Sequence, residues 1–494
     1  MDNEAGIQVS ERFERARLAR DHRFDGQFYI GVLTTGIYCR PICPANSPKR
    51  ENIRFYPSAA AAGEAGFRPC LRCRPECAPG SPAWTGTSTT VRRGLRLIAN
   101  GALDDGNVEQ LADRLGVTSR HLRRLFTRHI GASPLSVAHT QRLHFAKRLI
   151  DETRLPLARI SDAAGYGSIR RFNDAFRKTY GRAPRELRKI NDGDNATERR
   201  ATLSVRLSYR QPFNWGSVLA FFRPRVTPGV ETVTDNCYQR TLDLDGEHAI
   251  VSVREDVKPG YLLLTLHGVD TTAIFETVQH AREVFDLDAP VADIEAVLGV
   301  EPLLKSIIRE NRGVRVPGAW GGFELTIRAI LGQQISVKGA TTLAGRIAAR
   351  YGEQVNNPAA EDADLQYLFP TAQRLARARF NDIGLVRSRA ETLRRVSAAV
   401  VRGDISFDAT QDPDEFCHDL KLIKGIGDWT AQYVAMRVLK DPDAFPATDL
   451  GLLKALHDDK RATGPELAQR AEAWRPWRSY AAMLLWNRSA GSGG

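Results

Sequence analysis

Four cysteines near the amino terminus constrain the fold of this 494-residue sequence more than any other feature. Cys39 and Cys43 are four positions apart, and Cys70 and Cys73 form a C-x-x-C pair that begins 27 positions after Cys43. Two close pairs of thiolates suit tetrahedral zinc, because each short loop supplies two ligands. The sequence therefore predicts one Zn²⁺ bound by these four side chains. The other three cysteines are predicted to be a spare thiol (Cys77) and two isolated buried thiols (Cys237 and Cys417).

The length of the chain favours three or four domains, because single hydrophobic cores stop growing at about 250–300 residues. No stretch approaches the roughly 20 consecutive apolar residues that span a bilayer. The first 20 residues are charged throughout and lack the apolar segment of a secretory signal. We therefore expect a cytoplasmic protein with no membrane partner, in which clustered cysteines bind metal. Nothing in the sequence demands more than a monomer.

The positive charge of the chain is concentrated in one block. Residues 91–190 hold 21 Lys and Arg against 9 Asp and Glu, and this surplus equals the net charge of +12 of the whole chain. A basic block inside a balanced protein favours a polyanionic partner, of which DNA is the leading candidate. The alternative is a solvated arginine-rich surface.

Two polar segments, 78–90 and 191–200, divide the chain. After the second segment come apolar runs that are typical of strands, such as LSVRLSY, AIVSVR and YLLLTLHG. From about residue 291 the spacing of apolar residues is instead typical of helices. We predict a multidomain, mainly α fold with α+β parts. Its units are a small zinc domain, an all-α domain with two helix-turn-helix motifs, a mixed α/β subdomain and an all-α domain: 1–79, 90–190, 201–290 and 291–494.

Two helix-turn-helix patterns lie in the basic block. Gly116 marks the first turn and Ser119 starts the helix after it, while Gly165 begins the second turn and Ser168 caps the helix that follows. The second helix of each pattern carries arginines that suit a DNA major groove: Arg120, Arg123, Arg124, Arg170 and Arg171.

This tandem arrangement, which ends in YGRAPRELR, resembles the AraC family of transcription activators. The resemblance implies a promoter operator in double-stranded DNA as one partner and RNA polymerase as another. The sequence of the operator is not readable from these residues.

The cysteine region resembles the amino-terminal domain of the Ada family, through FYIGVLTTGIYCRPICPANSPKRENIRFY and AAGFRPCLRCRP. The resemblance implies that Cys39 accepts a methyl group from a DNA methylphosphotriester while the other three cysteines hold the zinc. A zinc-bound thiolate is a ready nucleophile. Four thiolates on one Zn²⁺ carry a net charge of about −2. Methylation removes one negative charge, so affinity for phosphate should rise and the transfer should act as a switch.

The Ada resemblance also implies DNA contacts by Thr35 and Arg68. Two further arginines that contact DNA in that family are replaced here by Pro44 and Asn46. We therefore expect this domain to hold DNA less tightly than its relatives do.

A G-x-G hairpin, Gly425 to Gly427, lies between two helical stretches near the carboxyl terminus, and Asp449 follows 22 positions later. Backbone N–H groups at such a hairpin can bind a DNA phosphate without recognising sequence. Lys424 is predicted to add a phosphate contact. The spacing indicates a helix-hairpin-helix followed by a single carboxylate.

Residues 203–488 resemble the AlkA family of alkylation-repair glycosylases, through FNWGSVLAFFRPRVTPGVETV, RAILGQQISV, GIGDWTAQY and AWRPWRSYAAMLLW. The resemblance implies a three-part fold, excision of bases of the 3-methyladenine type, and Asp449 as the catalytic carboxylate. Trp429, Tyr433 and Trp486 match residues of the base pocket, for which plain core packing is the alternative. Cationic bases favour such an aromatic pocket.

Several positions narrow this assignment. Glycosylases that also cut the strand carry a lysine where this chain has Trp429, so we predict a monofunctional enzyme. The family's leucine wedge corresponds to Gln334, which follows Gln333, and both are candidate DNA contacts. The Ada proteins that repair O6-methylguanine do so in a further domain with a Pro-Cys-His-Arg active site. This sequence has no such run, so that repair activity is not expected.

Three interpretations follow. The first is a composite alkylation-response protein with a methyl-accepting zinc domain, a regulatory DNA-binding module and a glycosylase. The second is a transcription factor with a catalytically weak glycosylase-like half, against which Asp449 and the intact hairpin argue. The third is a glycosylase whose amino-terminal half only targets DNA, against which Cys39 in its TTGIYCRP context argues. We favour the first.

Overall fold

The computed structural model describes residues 11–21, 24–78, 89–99, 101–104, 106–153, 155–188, 202–244, 246–268, 273–361, 364–408, 411–456 and 463–491. Within these ranges the protein combines two small sheets with a majority of helices, which confirms the predicted multidomain, mainly α fold with α+β parts. None of the described helices is long and apolar enough to cross a membrane.

The amino-terminal unit is a four-stranded sheet in the order β3–β1–β2–β4, with β1 antiparallel to β2 and β3 and with β2 parallel to β4. Its regular elements include a helix over residues 11–18, β1 (Tyr29–Val32), β2 (Ile37–Cys39), β3 (Ile53–Tyr56), β4 (Arg68–Pro69), a helix at Ala59–Glu64, and short 3-10 turns at Arg50–Asn52 and Pro75–Cys77. Apolar side chains on one face form a small core around Phe28 and Ile53, both fully buried. This sheet places Cys39 at the end of β2, beside the chain that follows β4.

Among the described residues of the helix-turn-helix unit there are seven helices: Thr89–Ala99, Val108–Arg114, Ser119–Ile130, Pro134–Glu152, Leu157–Ala163, Ile169–Tyr180 and Pro184–Leu187. The predicted turns are confirmed, with positive φ at Gly116 and Gly165, and the Ser168 side chain accepts a hydrogen bond from the backbone N–H of Arg171. The second helix of each motif buries every fourth residue, in the series that start at Leu122 and Phe172. The remaining faces of these two helices are therefore free to carry charge.

The two helix-turn-helix motifs pack into different cores. The first shares an apolar cluster with the helix Ala59–Glu64, and Ser58 Oγ donates to the carbonyl oxygen of Ile130 at 2.8 Å. The second joins the large core of the carboxyl-terminal half, where the rings of Phe145 and Phe275 lie 4.7 Å apart. The long helix Pro134–Glu152 thus links the two cores.

A five-stranded antiparallel sheet follows, in the order β5–β9–β8–β7–β6. Its strands are β5 (Thr202–Ser208), β6 (Glu231–Val233), β7 (Cys237–Leu244), β8 (Glu247–Glu255) and β9 (Tyr261–His267), accompanied by helices at Trp215–Phe222 and Ile274–Val284 and a 3-10 turn at Arg223–Arg225. The three apolar runs predicted as strands are confirmed as β5, β8 and β9. The alternating burial of β9 shows that one face of the sheet is covered.

The remainder is helical, as predicted, and its elements are Val291–Leu298, Pro302–Glu310, Gly322–Leu331, Val337–Tyr351, Pro358–Glu361, Ala372–Ala376, Arg387–Arg402, Pro413–Leu422, Asp428–Arg437, Leu450–Leu456, Gly464–Ala471, a 3-10 turn at Glu472–Trp474, and Arg478–Gly491. Their apolar faces merge with the covered face of the five-stranded sheet in one core.

A buried charge network connects this sheet to the helix Gly322–Leu331. Glu231 accepts hydrogen bonds from Tyr238 Oη at 2.6 Å, from Arg240 Nη1 at 3.1 Å and from Arg328 Nη1 at 2.9 Å. Glu324 accepts from the same two arginines. Burial alone would raise the pKa of Glu231, but the charges of Arg328 and Arg240 lower it to about 2. The network therefore holds four formal charges in balance.

We expect Glu231→Ala to lower the free energy of unfolding by about 3–5 kcal/mol, because it leaves the guanidinium groups of Arg240 and Arg328 with Glu324 as their one remaining shared carboxylate in a largely buried network. The measurement is chemical denaturation followed by circular dichroism. Asp404→Ala is the control, since the Arg402–Asp404 pair is 61% and 54% exposed, and its loss should cost less than about 1 kcal/mol. Equal losses in the two variants would contradict the role given to Glu231.

Candidate active site, thiolate cluster and DNA-contacting residues

The predicted hairpin joins the helices Pro413–Leu422 and Asp428–Arg437. Gly425 has φ +102°, and a Cβ atom there would lie 2.1 Å from Thr392 Oγ1. Gly427 precedes the second helix with φ −100° and has open space around it. Gly425 is thus required by the packing of the hairpin, whereas Gly427 leaves the backbone accessible at the helix start.

Gly425→Ala should destabilise the protein by at least about 1–3 kcal/mol, because alanine is strained at this φ and would collide with Thr392. Binding to undamaged DNA should weaken in parallel. Gly427→Ala is the matched control and should change stability by less than about 1 kcal/mol. Thermal unfolding and DNA-binding titrations of both variants measure the difference, and similar stabilities would refute the close packing at Gly425.

Asp449 lies immediately before the helix Leu450–Leu456, and its half-buried carboxylate has three fixed partners. Oδ1 accepts from the backbone N–H of Leu452 at 2.9 Å and from Trp486 Nε1 at 2.8 Å. Oδ2 accepts from Trp429 Nε1 at 2.8 Å. The structure therefore brings together the hairpin helix, the carboxylate and the last helix, which are separate in sequence.

Three aromatic rings form a wall beside this carboxylate. Trp429 and Tyr433 are stacked, with ring centroids 5.2 Å apart and planes 7° apart, and Trp486 meets Tyr433 edge-on at 6.2 Å. All three are half-buried, so each ring keeps some exposed surface. The structure thus places the predicted pocket residues next to Asp449.

The two glutamines predicted to contact DNA differ in their surroundings, since Gln333 is bound to the hairpin and Gln334 is exposed. Gln333 Nε2 donates to the carbonyl oxygen of Gly425 at 3.1 Å and to Thr430 Oγ1 at 2.9 Å, so this side chain braces the hairpin. Gln334 is exposed and has φ +58°, and Ile335 after it is also exposed. A DNA contact at Gln334 stays a prediction.

The four predicted zinc ligands converge. The sulfur atoms of Cys39, Cys43, Cys70 and Cys73 lie within 4.8 Å of one another. Tetrahedral zinc with Zn–S bonds of about 2.3 Å separates its ligands by roughly 3.8 Å, so the donor set and its spacing fit one Zn²⁺. Cys39 and Cys43 are half-buried, and the other two are buried. Cys39 is therefore an accessible member of the cluster.

The remaining thiols lie outside the cluster. Cys77 is buried, and burial raises the pKa of its thiol to about 11. Cys417 is buried as predicted, but the prediction was wrong for Cys237, which is half-buried. Cys237 begins β7, next to the edge strand β6, where the sheet covers it incompletely.

The residues predicted to contact DNA in the amino-terminal half are exposed. Thr35 lies in the turn between β1 and β2, and the backbone N–H of Arg68 donates to Gly36 in the same turn at 2.9 Å. Both side chains therefore lie at one end of the sheet. The substituted positions Pro44 and Asn46 are also exposed.

All five predicted arginines of the helix-turn-helix unit are exposed. In the first motif, Arg123 pairs with Glu109 at 2.9 Å and Arg124 Nη2 lies 3.0 Å from His121 Nδ1. Arg120, Arg170 and Arg171 lie in the first turns of the two second helices. Their position suits the major groove.

Four family descriptions match the chain in succession. Residues 12–76 match the metal binding domain of Ada, residues 111–190 a helix-turn-helix domain, residues 204–321 the AlkA N-terminal domain, and residues 327–479 the HhH-GPD superfamily of base excision DNA repair proteins. A protein of Mycobacterium tuberculosis, described as a probable bifunctional transcriptional activator/DNA repair enzyme AlkA, is 40% identical over 479 residues, which cover 96% of each chain. The chain belongs to this Ada–AlkA fusion family.

Other relatives match one half of the Ada–AlkA fusion. DNA-3-methyladenine glycosylase 2 of Escherichia coli is 31% identical over 283 residues, which cover 57% of this chain and 95% of the relative. The 3-methyladenine DNA-glycosylase of Archaeoglobus fulgidus has the same fold over 58% of this chain and 99% of its own, with a TM-score of 0.51 and 21% identity.

Sequence reasoning missed two residues that lie near Asp449 and its aromatic wall, Arg437 and Gly451. Arg437 donates to Tyr433 Oη at 2.7 Å. Burial raises the pKa of the Tyr433 hydroxyl, but the positive charges of Arg437 and Arg225 outweigh this effect. The pKa of Tyr433 is therefore lowered. Gly451 lies beside the Asp449 carboxylate. The four-residue spacing of Tyr433 and Arg437 on one helix was the available signal for Arg437, whereas nothing in the sequence marked Gly451.

Proposed function

We propose that the carboxyl-terminal half is a monofunctional DNA glycosylase that removes alkylated bases of the 3-methyladenine type. The observation that carries this proposal is the Asp449 carboxylate, held by N–H donors beside an aromatic wall. Membership of the Ada–AlkA fusion family supports the same assignment. We also propose the division into units at 1–79, 90–190, 201–290 and 291–494.

The reaction begins when the damaged nucleotide rotates out of the duplex into the aromatic pocket. Alkylation at N3 or N7 makes the base cationic, so it binds well against Trp429, Tyr433 and Trp486. As the bond between C1′ and the base breaks, its electron pair moves to the base and positive charge develops on the sugar. The fixed carboxylate of Asp449 stabilises that charge. Water then forms the new bond to C1′, and its proton leaves to Asp449 or to solvent.

The DNA backbone is held by the hairpin. We propose that backbone N–H groups at Gly425 and Gly427, together with Lys424, bind a phosphate, and that Gln334 enters the gap left by the rotated nucleotide. Trp429 stands where strand-cutting relatives carry a lysine, and an indole cannot form a Schiff base. The product is therefore an intact strand with an abasic site.

The test of this function is release of labelled bases from methylated DNA by the purified full chain. We expect free 3-methyladenine and no strand cleavage before alkali treatment. Absence of base release would favour the alternative, a transcription factor with a catalytically weak glycosylase-like half. Strand cleavage without alkali would contradict the monofunctional assignment.

We propose a second activity for the amino-terminal unit, methyl transfer from a DNA methylphosphotriester to Cys39, supported by the four-sulfur cluster, by the half-buried position of Cys39 within it and by the match to the metal binding domain of Ada. The Cys39 thiolate attacks the methyl carbon. The bond between that carbon and the phosphate oxygen breaks, which leaves a phosphodiester anion and an S-methyl thioether. Zinc bound to this cluster keeps the thiolate deprotonated at neutral pH. Because the thioether is stable, each molecule reacts once.

The helix-turn-helix unit completes the proposal. Methylation removes one negative charge from the cluster, so affinity of the amino-terminal half for DNA rises, with Thr35 and Arg68 as proposed contacts. The exposed arginines of the two motifs then enter adjacent major grooves of an operator. We propose that the bound protein, as a monomer, activates transcription through RNA polymerase. Methylation-dependent binding to promoter DNA, measured by gel shift with methylated and unmethylated protein, tests this step.

A further inference from the structure

We propose that Trp429 and Trp486 are positioning residues, whose indole N–H groups lock the Asp449 carboxylate in one orientation. This inference rests on the proposed glycosylase function and assigns these side chains a role beyond contact with the base. The two indoles bind different oxygens of the carboxylate, since Trp429 donates to Oδ2 and Trp486 to Oδ1, each at 2.8 Å.

The number of donors limits what Asp449 can do. An ionised carboxylate offers about four lone-pair positions. The two indoles and the backbone N–H of Leu452 occupy three of them. A carboxylate held at both oxygens cannot rotate about its side-chain bonds without breaking hydrogen bonds. One acceptor position therefore remains for the attacking water, while the negative charge stays in a fixed place.

Gly451 allows Trp486 to make its contact. A Cβ atom at this position would lie 3.0 Å from Asp449 Oδ1, 3.2 Å from Trp486 Cδ1 and 3.4 Å from Trp486 Nε1. The first two distances are tighter than ordinary contacts between such atoms. Any larger residue would push the indole and the carboxylate apart. The absence of a side chain at Gly451 is thus part of the arrangement.

A buried arginine, Arg437, supports the indole of Trp429 through Tyr433. Tyr433 lies flat against Trp429, and its hydroxyl accepts from Arg437 Nη1. Arg437 is only 4% exposed and also donates to the carbonyl oxygens of Pro317 and Gly318, at 2.9 and 2.7 Å. The plane of the Trp429 ring is therefore set by a side chain that is itself fixed, so its N–H stays directed at Asp449.

This arrangement separates two effects. The faces of the indoles contact the base before and during the reaction, whereas their N–H groups act on the charge that stabilises the developing sugar cation. Interactions that strengthen only in the transition state affect the rate constant of the chemical step and not the binding of substrate. Replacing tryptophan with phenylalanine keeps an aromatic face and removes the N–H.

The experiment is single-turnover base release from methylated DNA by the full chain, over a series of enzyme concentrations, for Trp429→Phe and Trp486→Phe. We expect each variant to lower the maximal rate by at least about tenfold, and the half-saturating concentration to stay within about twofold. Trp215→Phe is the matched control, because its indole N–H also donates to a single oxygen, the carbonyl of Asn236 at 3.2 Å. Its maximal rate should equal that of the wild type.

A second measurement does not depend on activity. In ¹H–¹⁵N spectra, the indole resonances of Trp429 and Trp486 should both shift in Asp449→Asn, while that of Trp215 stays in place. Unshifted indole signals, or higher half-saturating concentrations with unchanged maximal rates, would overturn the positioning role. Wild-type protein that releases no base would instead overturn the glycosylase function itself, so the two failures are distinguishable.

Discussion

Asp449→Asn is expected to abolish base excision, with a loss of at least about 10²–10³-fold in the maximal rate of release from methylated DNA. The asparagine side chain has the same shape but no charge to oppose the sugar cation. One of its terminal groups is also an N–H donor, which would face an indole N–H from Trp429 or Trp486. That contact pairs two donors and leaves both unsatisfied.

The controls for Asp449→Asn are two properties of the amino-terminal half, which the substitution should leave unchanged. Zinc content and methyl uptake on Cys39 should match the wild type, because the thiolate cluster lies in the separate amino-terminal sheet. Single-turnover release of labelled base measures the main effect. Release at the wild-type rate would show that another group carries the catalysis.

Cys39→Ala is expected to eliminate methyl uptake completely. After exposure to DNA that carries methylphosphotriesters, the wild type should gain one methyl group on Cys39, detected by mass spectrometry of peptides. The variant should gain none, because it lacks the proposed acceptor; Cys70 and Cys73 are buried, and uptake on the half-buried Cys43 would contradict the assignment. Base release by the variant should be unchanged, since Asp449 and its partners remain in place.

Cys77→Ala is the matched control for the methyl-transfer prediction. Cys77 belongs to the same unit but lies outside the four-sulfur cluster, and its burial disfavours the thiolate. This variant should still accept one methyl group. A methyl on Cys43, Cys70 or Cys73 in the wild type would contradict the choice of Cys39 as acceptor.

The parts of the fold that were predictable are those in which local chemistry is decisive. Two pairs of cysteines at short spacing can meet at one metal whatever surrounds them, and the sulfur atoms do converge. The turns at Gly116 and Gly165 need positive φ, which glycine adopts without strain. Strands with alternating or continuous apolar residues formed because the pattern itself specifies a buried face.

The packing between units could not be predicted in this way. The polar segment 191–200 marks where the sequence changes character, yet the second helix-turn-helix motif shares a continuous core with the five-stranded sheet beyond it. The Tyr38 hydroxyl lies 2.9 Å from His144 Nε2, which joins the strand of Cys39 to the long helix Pro134–Glu152. Such contacts depend on which faces meet in three dimensions, and linker composition carries no information about that.

The sequence by itself determined the inventory of this protein: four thiolates for one zinc, two helix-turn-helix motifs, a hairpin of two glycines and a single aspartate beyond it. Only the tertiary structure decided how that aspartate is held. Trp429 and Trp486 are 20 and 37 positions from Asp449 in sequence, and they direct their N–H groups to its two oxygens because the helices that carry them converge at Asp449. The physical reason is that hydrogen-bond direction is set by the relative placement of helices, which residue types alone do not specify.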